Sequence, residues 1–313
     1  MRFKTAFLLL SMVLTSRSYG QSARATFNAL MRTFMIETNF GTGTTFSIDV
    51  DNREYWLTAK HMFTGNESGP AGVFTTKSVQ ANILSQVGEG QEGHDLHWIT
   101  ATFTTIDPGK DIDILVLVPE HPLLVAVPYN LASGIANVPL GGDCEFLGFP
   151  YGGGWKAQFS DSKQPETKSQ TWLPYIKHCT VSGQVNEKGV IIWVLDGINN
   201  HGFSGGPVLM GTGAEQQVFA VISGYHTEPL EVLPEEIRNA HTGFVPPPPA
   251  LSGDAPAQRP AQIVNANSGF IVSFSIDAAI KAIQANPIGP LLPAATTSPT
   301  PSASPTQPTP PPH

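Results

Sequence analysis

Turn-forming residues break this chain into short β-rich runs, and no stretch of its middle carries a sustained helical period. Gly43-Thr-Thr-Phe-Ser-Ile-Asp-Val50 is followed by Asp51-Asn52 and then by Tyr55-Trp-Leu-Thr-Ala59, the pattern of a hairpin. Further runs rich in apolar and β-branched residues lie at 98–105, 112–118, 144–148, 180–185, 190–195, 207–210 and 218–224. Many short strands with turn signals between them predict an all-β barrel or sandwich. One helical pattern stands out at 276–285, where Ala, Ile and Lys recur at helical spacing and Asn286-Pro287 closes the run.

The 313 residues suffice for a substantial hydrophobic core. Only 13% are charged and the formal net charge is -8, which argues against a nucleic-acid partner. Residues 1–20 read as an export signal. Met1-Arg-Phe-Lys4 is a basic start, 6–14 are almost wholly apolar, and Ser18-Tyr-Gly20 offers small residues for cleavage. The apolar stretch is too short to span a bilayer core of about 30 Å as a helix. The expected location is therefore secreted or periplasmic, with no membrane span after cleavage. Two later segments are expected to be irregular: a Pro-rich insertion at 227–266, and a Pro/Thr/Ser-rich tail at 288–313 that is too poor in apolar area to offset its ordering entropy.

Cys144 and Cys179 are the only cysteines. An oxidising compartment would allow one disulfide between them, whereas two cysteines alone make a poor zinc site. His94-Asp-Leu-His97 has metal-like spacing but no evident third ligand, so no metal is expected. Asn66-Glu-Ser68 is a glycosylation sequon that matters only in a eukaryotic secretory pathway. Tyr151-Gly-Gly-Gly154 lacks the lysine pattern and helix of a phosphate-binding loop.

The most specific motif is His201-Gly-Phe-Ser-Gly-Gly-Pro207. A serine hydroxyl becomes a useful nucleophile when a base takes its proton and donors stabilise the oxyanion. Glycines around Ser204 allow a sharp turn that aims the hydroxyl outward and frees the N–H groups of Gly202 and Ser204 to form an oxyanion hole. Upstream, Tyr55-Trp-Leu-Thr-Ala-Lys-His61 is an apolar strand ending in a histidine, the natural general base near neutral pH. A carboxylate should orient that imidazole, and Lys110-Asp-Ile-Asp-Ile-Leu-Val-Leu117 offers two. Asp113, preceding an apolar strand, is preferred. Asp111, two residues earlier on the same face of a strand, is the alternative. If Asp111 were the acid, Asp113 would lie in the strand body, where a second carboxylate is costly to bury.

These motifs occur in the order His, Asp, Ser, and with them the chain resembles the chymotrypsin-like serine peptidases. It is most similar to the bacterial branch of glutamyl endopeptidases and HtrA protease domains. The matching residues are Gly41-Thr-Gly43, Leu57-Thr-Ala-Lys-His61, Asp113-Ile-Leu-Val-Leu117, Phe146-Leu-Gly-Phe-Pro150, Thr180-Val-Ser-Gly183, Gly202-Phe-Ser-Gly-Gly-Pro207, Val221-Ile-Ser-Gly224 and Gly269-Phe-Ile-Val-Ser-Phe-Ser275. The match covers roughly residues 30–286.

The resemblance implies two six-stranded antiparallel β-barrels with a short C-terminal helix and a cleft between the barrels. His61 and the aspartate would come from the first barrel and Ser204 from the second. Ser223 and Gly224 would lie on the strand that binds substrate backbone. Ile198 stands where trypsin-type members keep an acid for basic side chains, so basic specificity is not expected. His226 follows the substrate strand and, as in glutamyl endopeptidases, could favour an acidic side chain. Phe203 replaces the aspartate that digestive members pair with a new N-terminus, so activation through that ion pair is not expected. An appended peptide-binding domain of the HtrA kind is not expected. The expected protein is a monomeric secreted endopeptidase acting on protein or peptide substrates without a cofactor. The alternative is a catalytically inactive protein of the same fold, used for binding at the cell surface.

Overall fold

The computed structural model describes residues 25–65, 72–85, 97–123, 130–134, 137–160, 168–232 and 262–292. The leader, the sequon, His94 and residues 293–313 lie outside them. The first barrel contains β1 (Thr33–Thr38), β2 (Gly41–Val50), β3 (Arg53–Thr58), β4 (Ser78–Ser85), β5 (His97–Ile106) and β6 (Leu115–Pro119). It closes in the order β1-β2-β3-β6-β5-β4, with every pair antiparallel. The second barrel contains β7 (Asp143–Gly148), β10 (Tyr175–Glu187), β11 (Val190–Asp196), β12 (Pro207–Met210), β13 (Gln217–Val232) and β14 (Gln262–Ser275). It closes in the order β10-β11-β14-β13-β12-β7. Between β7 and β10, β8 (Trp155–Ser160) and β9 (Lys168–Leu173) form a separate two-stranded sheet. Among the described residues there are also three short α-helices: α1 (Phe27–Met31), α2 (His61–Thr64) and the C-terminal α3 (Asp277–Ala285). The expected all-β double barrel with a terminal helix is thus the observed architecture.

Local chemistry sets the hairpins. Asp51 and Asn52 both take positive φ, 51° and 58°, and bring Val50 opposite Arg53. A two-residue turn of this hand matches the twist of its strands. Lys188 and Gly189 do the same between β10 and β11. Along β4 the alternate residues Val79, Ala81 and Ile83 pack in the first core with Trp56 and Phe103. In the second barrel Phe146, Val181, Leu195, Val208 and Phe219 form a core of their own. Cys144 and Cys179 face each other across β7 and β10 with Cα atoms 5.0 Å apart, and they form a disulfide.

Two expected irregular segments are partly regular. Residues 227–232 and 262–266 continue β13 and β14 as a paired ribbon, with Thr227 opposite Asn267 and Val232 opposite Gln262. The intervening 233–261 lie outside the described residues. The start of the Pro-rich tail is also tied down. Arg53 Nη1 donates to the Gly289 carbonyl at 2.5 Å, the Glu54 N–H to Pro290 at 3.0 Å and the Leu292 N–H to Asn52 at 3.0 Å. The strap at 288–292 closes over the β2–β3 hairpin because that edge offers backbone partners, which composition does not reveal. Among the described residues, no helix is long and apolar enough to cross a membrane.

Candidate active site

β3 drives a buried apolar run, Tyr55-Trp56-Leu57, to the barrel junction, and the chain then turns into α2. His61 opens that turn, which Gly65 ends at φ 69°. The preceding residue, Lys60, is fully buried. Its Nζ lies 2.6 Å from Asp107 Oδ1 and donates to the Gly109 carbonyl at 2.6 Å. Asp107 Oδ2 also accepts the Phe74 N–H at 2.7 Å. A buried charge of this kind needs both a counter-ion and hydrogen bonds. The clamp ties the histidine turn to the loop that leads into Asp113.

Asp113 sits at the end of that loop, before β6, and is buried. Its Oδ1 accepts the His61 N–H at 2.9 Å, and its Oδ2 lies 2.7 Å from His61 Nδ1. A carboxylate at Nδ1 places the ring proton there and leaves Nε2 as the acceptor. The same Oδ2 accepts the Ser223 hydroxyl at 2.5 Å. Asp111 was expected on a strand face shared with Asp113. It lies instead in a turn that the Ile112 N–H closes onto the Gly109 carbonyl at 3.3 Å, because β6 begins only at Leu115.

The loop around Ser204 is shaped by its glycines. Gly202 and Gly205 take φ 98° and 85°. A Cβ at either would lie 2.2 Å from a backbone oxygen, that of Phe149 or of Thr44 respectively. The N–H groups of Phe203, Gly205 and Gly206 donate to the carbonyls of Asn200, Ile222 and Phe203. Those of Gly202 and Ser204 donate to no described backbone group. The His201 carbonyl accepts the Tyr151 N–H at 2.8 Å. That bond turns the adjoining Gly202 N–H to the opposite side, because a trans peptide sets the two antiparallel. Phe203 points inward, fully buried, with its ring 4.9 Å from that of Phe146.

Thr44 of β2 joins the barrels at this loop. Its N–H donates to the Ser204 carbonyl at 2.9 Å, and its hydroxyl donates to Gly202 at 2.6 Å while accepting the Phe149 N–H at 3.2 Å. The Ser204 hydroxyl donates to the Ser223 carbonyl at 3.1 Å. Ser223 therefore touches both halves of the site, Ser204 through its carbonyl and Asp113 through its hydroxyl.

The remaining candidates divide. Ser223 and Gly224 lie beside Ser204. Ile198 is 64% exposed, and its carbonyl accepts Lys177 Nζ at 2.6 Å. The neighbouring Asn199 is the buried residue, and its Nδ2 reaches the Gly224 carbonyl at 3.3 Å. His226 is exposed, and its carbonyl accepts the Ser268 hydroxyl at 2.8 Å. Lys177 Nζ sits 5.4 Å from the Phe203 ring centroid, and partial burial lowers its pKa below the ordinary lysine value. The sequence reading missed Lys60, Thr44 and Asn199. A lysine directly before the histidine of an apolar strand was the one visible signal. Among the described residues, no group of three His, Cys, Asp or Glu could hold a metal ion.

Two closed antiparallel barrels with Ser204, His61 and Asp113 near their junction define the double-barrel fold of chymotrypsin-like serine peptidases. No family model matches the sequence, and no curated protein matches it either. Among solved structures, the chain is similar to the Rv3671c protease of M. tuberculosis H37Rv in an inactive form, at 14% identity and TM-score 0.43, over 82% of this chain and 89% of that one. It is also similar to the HtrA-type protease AlgW with a tripeptide, at 12% identity and TM-score 0.44, over 84% of this chain and 63% of that one. A third is Deg5, at 19% identity and TM-score 0.37, over 61% of this chain and 78% of that one. These likenesses are loose, and the functional reading rests on the chain's own residues.

Proposed function

We propose that this chain is a secreted serine endopeptidase that hydrolyses peptide bonds through an acyl-enzyme. The observation that supports it is the 2.7 Å contact between His61 Nδ1 and Asp113 Oδ2, with Ser223 linking the same carboxylate to the Ser204 hydroxyl. In this reading the Ser204 hydroxyl leaves the Ser223 carbonyl and gives its proton to His61 Nε2 as Oγ attacks the substrate carbonyl. The Gly202 and Ser204 N–H groups stabilise the oxyanion. The C–N bond then breaks, His61 passes the proton to the leaving amine, and water repeats the sequence on the ester. Export by the leader accords with the Cys144–Cys179 disulfide.

One observation favours the second reading, an inactive binding protein: the Ser204 hydroxyl is bonded to the Ser223 carbonyl. Labelling with a fluorophosphonate separates the two. The enzyme reading expects stoichiometric labelling that Ser204→Ala abolishes. Labelling that is absent, or unchanged in the variant, removes it.

A further inference from the structure

Beyond Val221, β12 no longer pairs with β13, so the edge at Ser223-Gly224-Tyr225 faces the loop 197–202. An unpaired strand edge can receive an extended peptide. A Cβ on Gly224 would meet no heavy atom within 4 Å, so a backbone can approach here. The side chain next to the attacked carbonyl would then enter the slot between this edge and the loop.

That slot is bridged along its depth. At its base the Gly197 N–H donates to the Gly269 carbonyl at 2.8 Å. Next, Asn199 donates through Nδ2 to Gly224 at 3.3 Å, while its own carbonyl accepts Asn267 Nδ2 at 2.5 Å. At the mouth, Tyr225 Oη lies 3.3 Å from His201 Nε2, with the two rings edge-on and their centroids 5.9 Å apart. His201 directly precedes Gly202, so this bridge abuts the Ser204 loop. A bulky substrate side chain would have to break the Tyr225–His201 contact to enter.

We infer that Tyr225 and His201 form a gate that restricts the substrate residue on the acyl side of the cleaved bond to small side chains such as Gly, Ala or Ser. The inference rests on the peptidase reading and names the substrate class of that site. Peptidyl diphenyl phosphonates, which react at the serine and carry one side chain into the slot, test it directly. Beside them, a fluorophosphonate without a side chain reads the nucleophile alone.

The wild-type chain should react with the Ala phosphonate at least tenfold faster than with the Phe phosphonate. In Tyr225→Ala, or in His201→Ala should the first variant fail to react with the fluorophosphonate, the Phe-to-Ala rate ratio should rise at least tenfold. A wild-type chain that takes Phe as readily as Ala, or a ratio unmoved in a fluorophosphonate-reactive variant, overturns the gate and leaves the peptidase reading intact. Absence of fluorophosphonate labelling in the wild type overturns both.

Discussion

The hydroxyl of Thr44, on a strand of the first barrel, donates to the carbonyl of Gly202 at 2.6 Å, so one buried side chain of one barrel fixes the Ser204 loop of the other. Thr44→Val keeps the shape and removes this donor together with the acceptor for the Phe149 N–H. Each unsatisfied buried group costs about 1–3 kcal/mol. With two groups left unsatisfied, the expected outcome is a loss of stability of about 2–6 kcal/mol in urea unfolding. A fall in kcat exceeding any change in KM should accompany it, because in the proposed mechanism the loop serves the transition state. A variant with wild-type kcat would show that Thr44 holds the barrels together and not the loop.

Lys60 and Asp107 form a second buried device, beside His61. Breaking a buried pair on one side costs about 3–5 kcal/mol, whereas replacing both partners by apolar residues can be nearly neutral. Lys60→Met is therefore expected to lower stability by about that amount. Lys60→Met with Asp107→Leu should recover part of it, since the Phe74 N–H and the Gly109 carbonyl still lose their partners. Denaturant titration of the wild type, both single variants and the double variant measures the coupling.

Asp113 and Asp111 are separated by their surroundings. Asp113→Asn keeps the volume of the side chain but favours the wrong imidazole tautomer, a change that cost about 10⁴-fold in kcat in the chymotrypsin-type example. A comparable loss is expected here, with the fold retained. Asp111→Asn should stay within about threefold of wild type, since the His61 ring and N–H are held by Asp113. Peptide hydrolysis assays on the two variants decide the assignment. Equal losses would return Asp111 to consideration.

The Cys144–Cys179 disulfide joins positions 35 apart in sequence. Loop-closure entropy for such a separation amounts to about 4 kcal/mol as an upper value. Cys144→Ser with Cys179→Ser should lower unfolding stability by up to about that amount. Adding reductant to the wild type should give the same curve. Both cysteines are buried in the second core, so reduction is expected to be slow until the barrel opens.

Much of this protein was legible in its residue order. The hairpin at Asp51-Asn52 follows from two residues that tolerate positive φ, and the glycines of the Ser204 loop follow from a turn that no Cβ can enter. Most strands announced themselves through β-branched and aromatic runs. β1, β4, β8 and β9 did not; in β4 the alternation rests on Ala81 and is diluted by Gln80 and Asn82. The strap at 288–292 was hidden because composition records what a segment can bury alone, not which edge awaits it.

His61 and Ser204 could be singled out by local chemistry, since strand ends and glycine turns are short-range matters. Which partners they meet depended on the closing of two barrels. That closure brings Thr44 to Gly202 across 158 positions and Ser223 to Asp113 across 110. Contacts so distant leave no local periodicity. They come into being only when burial of the strands on their two cores fixes the backbone register that places those side chains together.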